Sequence, residues 1–321
     1  MHDVRRGTAW AAHSRKDNDM QLLDTLMVRA VPLIPRAVIH RLSRRYIAGA
    51  TIEEAIDRTR RLNAQGFCAT LDVLGESIST LPEAQDTAAE YIRALDAIRT
   101  HALRASVSLK PTALGLLLDV RECERLLEQI LASARKAGST VCIDMEDTSC
   151  TQLEIDLFTR LRSRHDNVSL ALQAYLLRTY DDIEPLLRQR LPLRICKGIY
   201  IEPRTHLVDE AWRHRAAINP HFMKHVERCL EVGAFVSIAT HDESLIEQVV
   251  EQVRQIGVDK NRFEFQMLLG VCEPLRDKLL RMGFNVRIYV PYGAEWYAYS
   301  VRRLKENPRI AGHVARAAFG L

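Results

Sequence analysis

The clearest pattern in this chain is VRIYVPYGAEWYAYSVRRLKEN, which runs from Val286 to Asn307. Its first part, Val286–Val290, alternates apolar and other side chains and stops at a proline, which predicts a strand. A short loop containing Gly293 follows. The remainder, Ala294–Glu306, is predicted to be a helix.

Four polar or aromatic side chains share one face of this predicted helix. Tyr299, Arg302, Arg303 and Glu306 lie three or four residues apart, so they are neighbours on the helix surface. The planar guanidinium of arginine can hold a carboxylate with two parallel hydrogen bonds. A solvated helix face with one Glu–Arg pair is the simpler interpretation of the arginine pair alone.

Seven further apolar stretches precede this one, and each is predicted to be a strand. They are Gly66–Glu76, Ala105–Lys110, Ser139–Asp147, Ser169–Tyr175, Leu193–Gly198, Ala234–Asp242 and Phe263–Gly270. Helical patterns lie between them, including a capping box at Thr51 and Glu54 and a long helical stretch that ends near Gly233. Their near-continuous apolar composition is typical of parallel strands covered on both faces.

Eight strands with intervening helices predict an α/β fold, a closed (βα)8 TIM-like barrel with extra N-terminal helices. An open doubly wound sheet is the alternative, and the absence of a G-x-G-x-x-G after the first strand weakens it. Residues 1–49 are predicted to be an N-terminal helical extension, of which about 18 residues are mobile. In it Arg36–Tyr46 is predicted to be a basic amphipathic helix that packs across the barrel or its bottom, with a membrane-surface role as the alternative. Residues 50–321 are predicted to form the catalytic barrel.

Composition limits the function classes. The 321 residues are 47% hydrophobic, with a net charge of +4 and a pI near 8.7, which does not call for nucleic acid. No apolar run is long enough for a transmembrane helix, and the N-terminus does not resemble a signal peptide. The seven cysteines lack a C-x-x-C motif and are interpreted as reduced core thiols.

Polar side chains occur at nearly every strand end, which is where such barrels build active sites. They are Asp72, Glu76, Lys110, Asp144, Glu146, Asp147, Gln173, Tyr175, Arg194, Lys197, Tyr200, Thr240, His241, Asp242, Glu264, Gln266, Arg287 and Tyr289. Charge within an apolar run is costly unless it is paired or functional. The barrel therefore encloses a large polar site.

The residue types narrow the chemistry further. His221 and His225 lie four apart and could bind a metal, but no third ligand is near, so we interpret them as helix-surface histidines and expect no metal site. His241 directly follows a strand and is a better candidate for a cofactor contact. Lysines at strand ends could form a Schiff base or bind phosphate. Amides, Thr, His and Arg around the rim suit a bulky cofactor with an isoalloxazine and a pyrophosphate.

Seven ordered motifs resemble the flavin-dependent proline dehydrogenases. They are VSLKP, CIDMED, LQAYL, LRICKGIY, IATHD, FEFQML and RIYVPYG…YSVRRLKE, and the resemblance extends from about Tyr46 to the C-terminus. It implies the short monofunctional form and non-covalent FAD. It also implies oxidation of L-proline to Δ1-pyrroline-5-carboxylate, by hydride transfer from C5 to flavin N5, as the first step of proline catabolism.

The resemblance assigns roles on the substrate side. Arg302 and Arg303 grip the proline carboxylate with help from Lys110, and Glu306 orients Arg303 and the flavin side of the pocket. Tyr289 and Tyr299 wall the proline ring, with Tyr289 crowding C4. Asp144 is the buried carboxylate hydrogen-bonded near Tyr289, and Glu76 closes over the substrate by pairing with Arg302.

On the flavin side the resemblance places Arg194 near N5. The other expected FAD contacts are Gln173, Lys197, Gly198, Tyr200, Thr240, His241 and Gln266. Ile199 replaces the usual alanine beside the flavin. Ile201 stands where a larger polar or aromatic residue is common.

The resemblance also implies partners. Electrons pass to a membrane quinone from a cytoplasmic protein at the inner membrane, and a pyrroline-5-carboxylate dehydrogenase can act downstream. Two alternatives stay open at this point. One is another flavin barrel, such as a methylenetetrahydrofolate reductase-like protein. The other is a non-catalytic flavin- or membrane-binding protein.

Overall fold

The computed structural model describes Ile39 and residues 43–75, 78–297 and 299–301. The chain divides into two compact units. One unit, Ala48–Gly293, contains the whole barrel. The other comprises Met1–Ile47 and Ala294–Leu321. Most of the predicted N-terminal extension therefore lies outside the described residues.

The barrel unit is a closed cylinder of eight parallel strands in sequential order, which confirms the predicted (βα)8 architecture. The strands are β1 (Cys68–Val73), β2 (Ala105–Leu109), β3 (Val141–Ile143), β4 (Val168–Gln173), β5 (Leu193–Cys196), β6 (Val236–Ala239), β7 (Phe263–Leu268) and β8 (Val286–Tyr292). The helices are α1 (Ile52–Ala64), α2 (Leu81–Thr100), α3 (Val120–Lys136), α4 (Thr151–Arg162), α5 (Thr179–Arg188), α6 (Asn219–Glu231), α7 (Glu243–Gln255) and α8 (Glu273–Arg281). β1 pairs with β8 and closes the cylinder.

The two faces of the strands differ more than the sequence suggested. Leu71 of β1 pairs in register with Val107 of β2, which pairs with Val141 of β3, and all three side chains are fully buried. The alternate positions carry polar side chains, such as Thr70 beside Ser106. Successive side chains of a strand point to opposite faces, so the apolar set faces the helices and the polar set fills the barrel.

The helix starts follow their capping signals. Thr51 accepts from the backbone N–H of Glu54, whose carboxylate accepts from the Thr51 N–H, as the predicted capping box requires. Asp119 caps α3 and Asp242 caps α7 in the same way, through side-chain oxygens. Each cap satisfies backbone donors that the first helical turn leaves unpaired.

The predicted helical stretch that ends near Gly233 is present as α6, which ends at Glu231, but it is shorter than expected. The segment between β5 and α6 holds only two short 3-10 turns, Arg204–His206 and Arg215–Ile218. Gly198 has a φ of +104°, and Pro203 lies directly before the first turn, so neither continues a helix. The segment instead runs across the barrel end, where Leu207 forms a bridge with Leu176.

Two predictions about surface residues are also wrong. His225 on α6 is buried rather than on the surface, stacks on Tyr180 at 4.5 Å, and burial lowers its pKa to about 4. His221 shares the same tyrosine through a 2.7 Å hydrogen bond. All seven cysteines are free thiols, but Cys272 is exposed rather than in the core.

No helix in the described residues is both long enough and apolar enough to cross a bilayer. No group of three or more His, Cys, Asp or Glu side chains there is arranged to hold a metal ion.

A buried ion pair occupies one level of the barrel interior. Arg287 of β8 donates from Nε to Glu264 Oε1 of β7 at 2.8 Å, and from Nη1 to Ser106 Oγ of β2 at 3.1 Å. Ser237 and Gln266 also donate to Glu264. Although burial opposes it, the charge of Arg287 and these hydrogen bonds lower the pKa of Glu264. Arg287 therefore links β7 and β8 to β2, which lies on the other side of the closure.

We expect Glu264→Ala to lower the free energy of unfolding by about 3–5 kcal/mol, because it leaves the Arg287 guanidinium buried without its charge partner. Urea unfolding of the purified barrel protein measures this loss. The double variant Glu264→Leu/Arg287→Met should recover most of it. Glu247→Ala, which removes the exposed partner of Lys278, is the matched control and should change the midpoint little. Equal effects of Glu264→Ala and Glu247→Ala would contradict the role of the buried pair.

Candidate active site

A second ion pair lies inside the barrel, nearer the carboxyl ends of the strands. The Arg194 guanidinium of β5 contacts Asp144 Oδ1, just past β3, and donates to Ser108 Oγ of β2 at 2.9 Å. β2 and β5 are three strands apart in the cylinder. The guanidinium must therefore cross the interior. Arg194 and Asp144 are 5% and 6% exposed, so this charge pair is shielded from water.

Tyr289 completes this group from β8. Its hydroxyl donates to the second Asp144 oxygen, Oδ2, at 2.6 Å, and the Arg194 guanidinium lies 5.6 Å from the centre of its ring. Burial and the negative charge of Asp144 raise the pKa of Tyr289 well above its usual value. The phenol therefore keeps its proton and acts as a donor. Asp144 thus holds an arginine and a tyrosine in fixed positions around one point.

Lys110 occupies the end of β2 beside a buried acid. Its Nζ lies 3.6 Å from Oδ1 of Asp72, which is 1% exposed. The turn that follows is held by Glu146, whose carboxylate accepts from both the N–H and the hydroxyl of Thr112. The backbone carbonyl of Glu146 accepts from Gln173 Nε2 at 2.8 Å. Glu146 therefore connects the turn after Lys110 to the end of β4.

A further charge pair lies beyond β5 and β6. Lys197 Nζ is 2.7 Å from Asp242 Oδ2, and Asn219 donates to the same oxygen at 3.1 Å. Asp242 also accepts from the first turn of α7, and its own N–H donates to Thr240 Oγ1 at 3.2 Å. The Asp242 carboxylate thus joins Lys197, at the end of β5, to Asn219, at the start of α6.

His241 is fixed in one tautomer. Its Nε2 accepts from the backbone N–H of Leu268 at 2.8 Å. A backbone N–H can only donate, so Nε2 carries no proton and the neutral ring has its hydrogen on Nδ1. His241 therefore presents a donor on the side away from β7.

Gly198 forms a tight approach between two loops. A Cβ on this residue would overlap the ring of Tyr175, and its φ of +104° disfavours any side chain. The Tyr175 hydroxyl donates to the carbonyl of Tyr200 at 3.2 Å. Arg215 donates to the carbonyl of Gly198 at 2.8 Å. Glycine here lets the loop pack directly against Tyr175 at the barrel end.

Comparison with known proteins identifies the family. A family model described as Proline dehydrogenase matches residues 55–316 of this chain. Proline dehydrogenase 2 of Bacillus subtilis (strain 168) is 36% identical over 262 residues, covering 82% of this chain and 85% of that protein. The proline dehydrogenase of Deinococcus radiodurans is 33% identical over 291 residues, covering 89% of this chain and 93% of that protein. The chain belongs to the proline dehydrogenase family.

Solved structures agree on the fold. A crystal structure of proline utilization A (PutA) from Bdellovibrio bacteriovorus superposes with a TM-score of 0.76 at 23% identity. The match covers 84% of this chain and 33% of that chain, so this proline dehydrogenase spans about one third of its length. The family match and the curated relatives support proline dehydrogenase function for this chain.

The structure brings together part of the predicted site of this proline dehydrogenase. The expected hydrogen bond between Asp144 and Tyr289 is present, and Arg194 joins it. Gln266 lies in the interior but donates its amide to Glu264 at 2.7 Å. Glu76, Arg302, Arg303 and Glu306 lie outside the described residues. Tyr299 is described, but it belongs to the other compact unit, so its place in the site stays a prediction.

The two departures from the family pattern are accessible to solvent. Ile199 is 39% exposed and Ile201 is fully exposed. Both flank Tyr200 on the loop that Gly198 begins. Their apolar side chains are therefore available to a bound group at this end of the barrel.

Three strand-end acids, to which the sequence alone assigns no role, contact candidate site residues or hold the turns beside them. Asp72 contacts Lys110, Asp242 contacts Lys197, and Glu146 anchors Thr112 and Gln173. Strand alternation could have found Asp72, because it is two residues from the inward-facing Thr70. Asp242 also has an N-cap signal before α7. Nothing in the sequence indicates that Glu146 reaches Thr112.

We expect Gly198→Ala to destabilise the protein by about 2–4 kcal/mol, from overpacking against Tyr175 and from backbone strain. Thermal or urea unfolding of the single variant measures this. The double variant Gly198→Ala/Tyr175→Leu should recover the overpacking part, so the two changes should be non-additive. Gly257→Ala, at a positive-φ glycine with no neighbour near its Cβ position, controls for strain alone. A loss no larger than that of Gly257→Ala would show that the Tyr175 contact is unimportant.

Proposed function

We propose that this proline dehydrogenase oxidises L-proline to Δ1-pyrroline-5-carboxylate with FAD as its cofactor. The observation that carries the proposal is the fixed group of Arg194, Asp144 and Tyr289 inside the barrel end. Family membership supports the substrate, and this group supports the type of chemistry. It sets a permanent cation beside a phenol that retains its proton, in a site shielded from water.

The residues present fit a flavin. Arg194 Nε is buried and has no hydrogen-bond partner among the described residues, so it can donate to an acceptor on a bound ring. Lys197, at the end of β5, adds a cation beside Gly198. We propose that these residues hold FAD. The other proposed contacts are Gln173, Tyr200, Thr240, His241, Gln266 and Glu306.

FAD, when bound, accepts the hydride that leaves C5 of proline with its electron pair. The chain's own residues set the conditions for that step. Arg194 provides positive charge in a low-dielectric interior, where such charge is most effective. The proline nitrogen must be a neutral amine to release a hydride from C5. Cations held near the substrate lower the pKa of the proline ammonium by like-charge repulsion, and we assign this effect mainly to Arg302 and Arg303, because Asp72 offsets the charge of Lys110.

Substrate orientation is assigned by the family resemblance. We propose that Arg302 and Arg303 bind the proline carboxylate with Lys110, while Tyr289 and Tyr299 pack against the ring. We further propose that Glu76 closes the site by pairing with Arg302. A substrate held by its carboxylate and packed against two tyrosine rings has little freedom left, which is the main contribution a protein makes to flavin chemistry.

The electrons and the product need partners outside this chain. We propose a membrane quinone as the electron acceptor, reached by peripheral contact of a cytoplasmic protein with the inner membrane. The mild positive charge of +4 is compatible with an anionic lipid surface. We propose that a pyrroline-5-carboxylate dehydrogenase consumes the product.

The visible spectrum under anaerobic conditions tests cofactor and substrate together. We expect purified protein to show a flavin spectrum that bleaches on addition of L-proline, because the flavin takes up the electrons. D-proline and methylenetetrahydrofolate should leave the spectrum unchanged. A flavin spectrum indifferent to L-proline would favour a non-catalytic flavin-binding protein. Bleaching by methylenetetrahydrofolate would favour the other reductase, and a colourless protein that FAD does not restore would overturn the proposal.

We also expect Tyr289→Ser to raise hydroxyproline turnover relative to proline by about tenfold or more, since removing the ring relieves crowding at C4. The measurement is the ratio of kcat/KM for the two substrates. Tyr289→Phe is the matched control, because it keeps the ring and loses only the hydrogen bond to Asp144. An unchanged ratio in the serine variant, or an equal change in the phenylalanine variant, would refute the steric role.

A further inference from the structure

A buried carboxyl group lies behind the candidate site and has no part in the proposed reaction. Glu154, on α4, is 1% exposed. It forms no ion pair with any other described residue. Its neighbour Arg178 binds Asp182 and Gln152 instead. An acid this deeply buried needs either a charge partner or a proton.

Glu154 shares a small cavity with Gln173. The cavity has a volume of about 10 Å³, and its lining also includes Met145, Leu170, Leu176 and Thr179. This is about the smallest cavity that can hold one water molecule. Oε1 of Glu154 and Oε1 of Gln173 are both buried, and in the described part of the chain neither has a hydrogen-bond partner. Two acceptor oxygens therefore border one cavity.

A proton on Glu154 resolves this arrangement. An ionised carboxylate and an amide oxygen are both acceptors and cannot satisfy each other, whereas a carboxylic acid has a donor to give. The surroundings favour the acid. Burial, followed by the charges of Glu146, Asp144 and Asp147, raises the pKa of Glu154 to about 9, against a hydrogen bond from the Glu146 backbone. Cys150 and Arg178 are the other titratable neighbours.

We propose that Glu154 is a positioning residue, which donates its carboxylic proton to the carboxamide oxygen of Gln173, directly or through one water in the cavity. Gln173 Nε2 is already bound to the Glu146 carbonyl. Both ends of the amide are then fixed. Because the Glu146 side chain also holds Thr112, two residues past Lys110, Glu154 supports the cofactor side and the substrate side through one connected group. This rests on the proposed function, in which Gln173 contacts FAD.

The test compares Glu154→Gln with Glu154→Leu by titrating FAD into apoprotein and following flavin fluorescence. The glutamine keeps a donor and the volume, so its Kd should stay within about twofold of wild type at pH 7. The leucine removes the donor and should weaken FAD binding about tenfold, the usual effect of losing one buried hydrogen bond. Above about pH 9 the wild-type Kd should rise relative to that of Glu154→Gln. Glu128→Gln, at an exposed acid paired with Arg164, controls for loss of an acid elsewhere.

Wild-type affinity in Glu154→Leu would reduce Glu154 to a packing role and overturn the proposal. Equal weakening in both variants would show that the charge is required, and would overturn it as well. If wild-type apoprotein does not bind FAD, the proposed function fails first, and thermal unfolding then decides the protonation state. A folded pKa above the unfolded value makes wild-type stability fall as pH rises from about 4.5 to 9. The Tm of Glu154→Gln should therefore rise relative to the wild-type Tm as pH increases across that window. A difference in Tm that does not change with pH would refute the protonated buried acid.

Discussion

The contact between Arg194 and Asp144 is the constraint on which the site depends. An arginine does not lose its charge in a protein, so a buried guanidinium must be met by acceptors from several directions. β2 supplies Ser108, the end of β3 supplies Asp144, and β8 supplies Tyr289 as a further donor to Asp144. These elements lie in separate parts of the chain. Only a closed cylinder brings them to one point.

A second arginine imposes a similar constraint at another level of the interior. Arg287 is met by Glu264, by Ser106 and by the carbonyl of Ala69. Burial and, to a smaller extent, repulsion from Arg194 act to lower the pKa of Arg287. The nearby Glu264 carboxylate outweighs both, so the pKa of Arg287 is raised. Each guanidinium therefore has its own carboxylate at its own level. The two pairs explain why the inward positions of β2, β6 and β8 are polar while their outward positions are apolar.

The sequence was sufficient for the architecture and for the residues that bear charge. Strand number, the apolar stretches and the strand-end side chains predicted the barrel, and they predicted Asp144, Arg194 and Tyr289 as site residues. The pairings were harder to predict, because they depend on register and closure. Asp72 meets Lys110 and Asp242 meets Lys197 across neighbouring βα units, while Glu146 reaches a turn 34 residues away. The irregular loop between β5 and α6 was also hard to predict, because it depends on the contact of Gly198 with Tyr175 and on the bridge between Leu207 and Leu176.

Charge balance limits what the described part of the site can do alone. Lys110, Arg194 and Lys197 are each matched by one carboxylate, namely Asp72, Asp144 and Asp242. Three such pairs hold geometry but contribute almost no net positive potential. An amino-acid carboxylate is attracted by a surplus of positive charge, so it must draw on cations beyond these three pairs. The resemblance assigns that surplus to Arg302 and Arg303. The paired cations then serve a different purpose, because a fixed dipole such as Asp144–Arg194 can stabilise developing charge without reorganising when the substrate arrives.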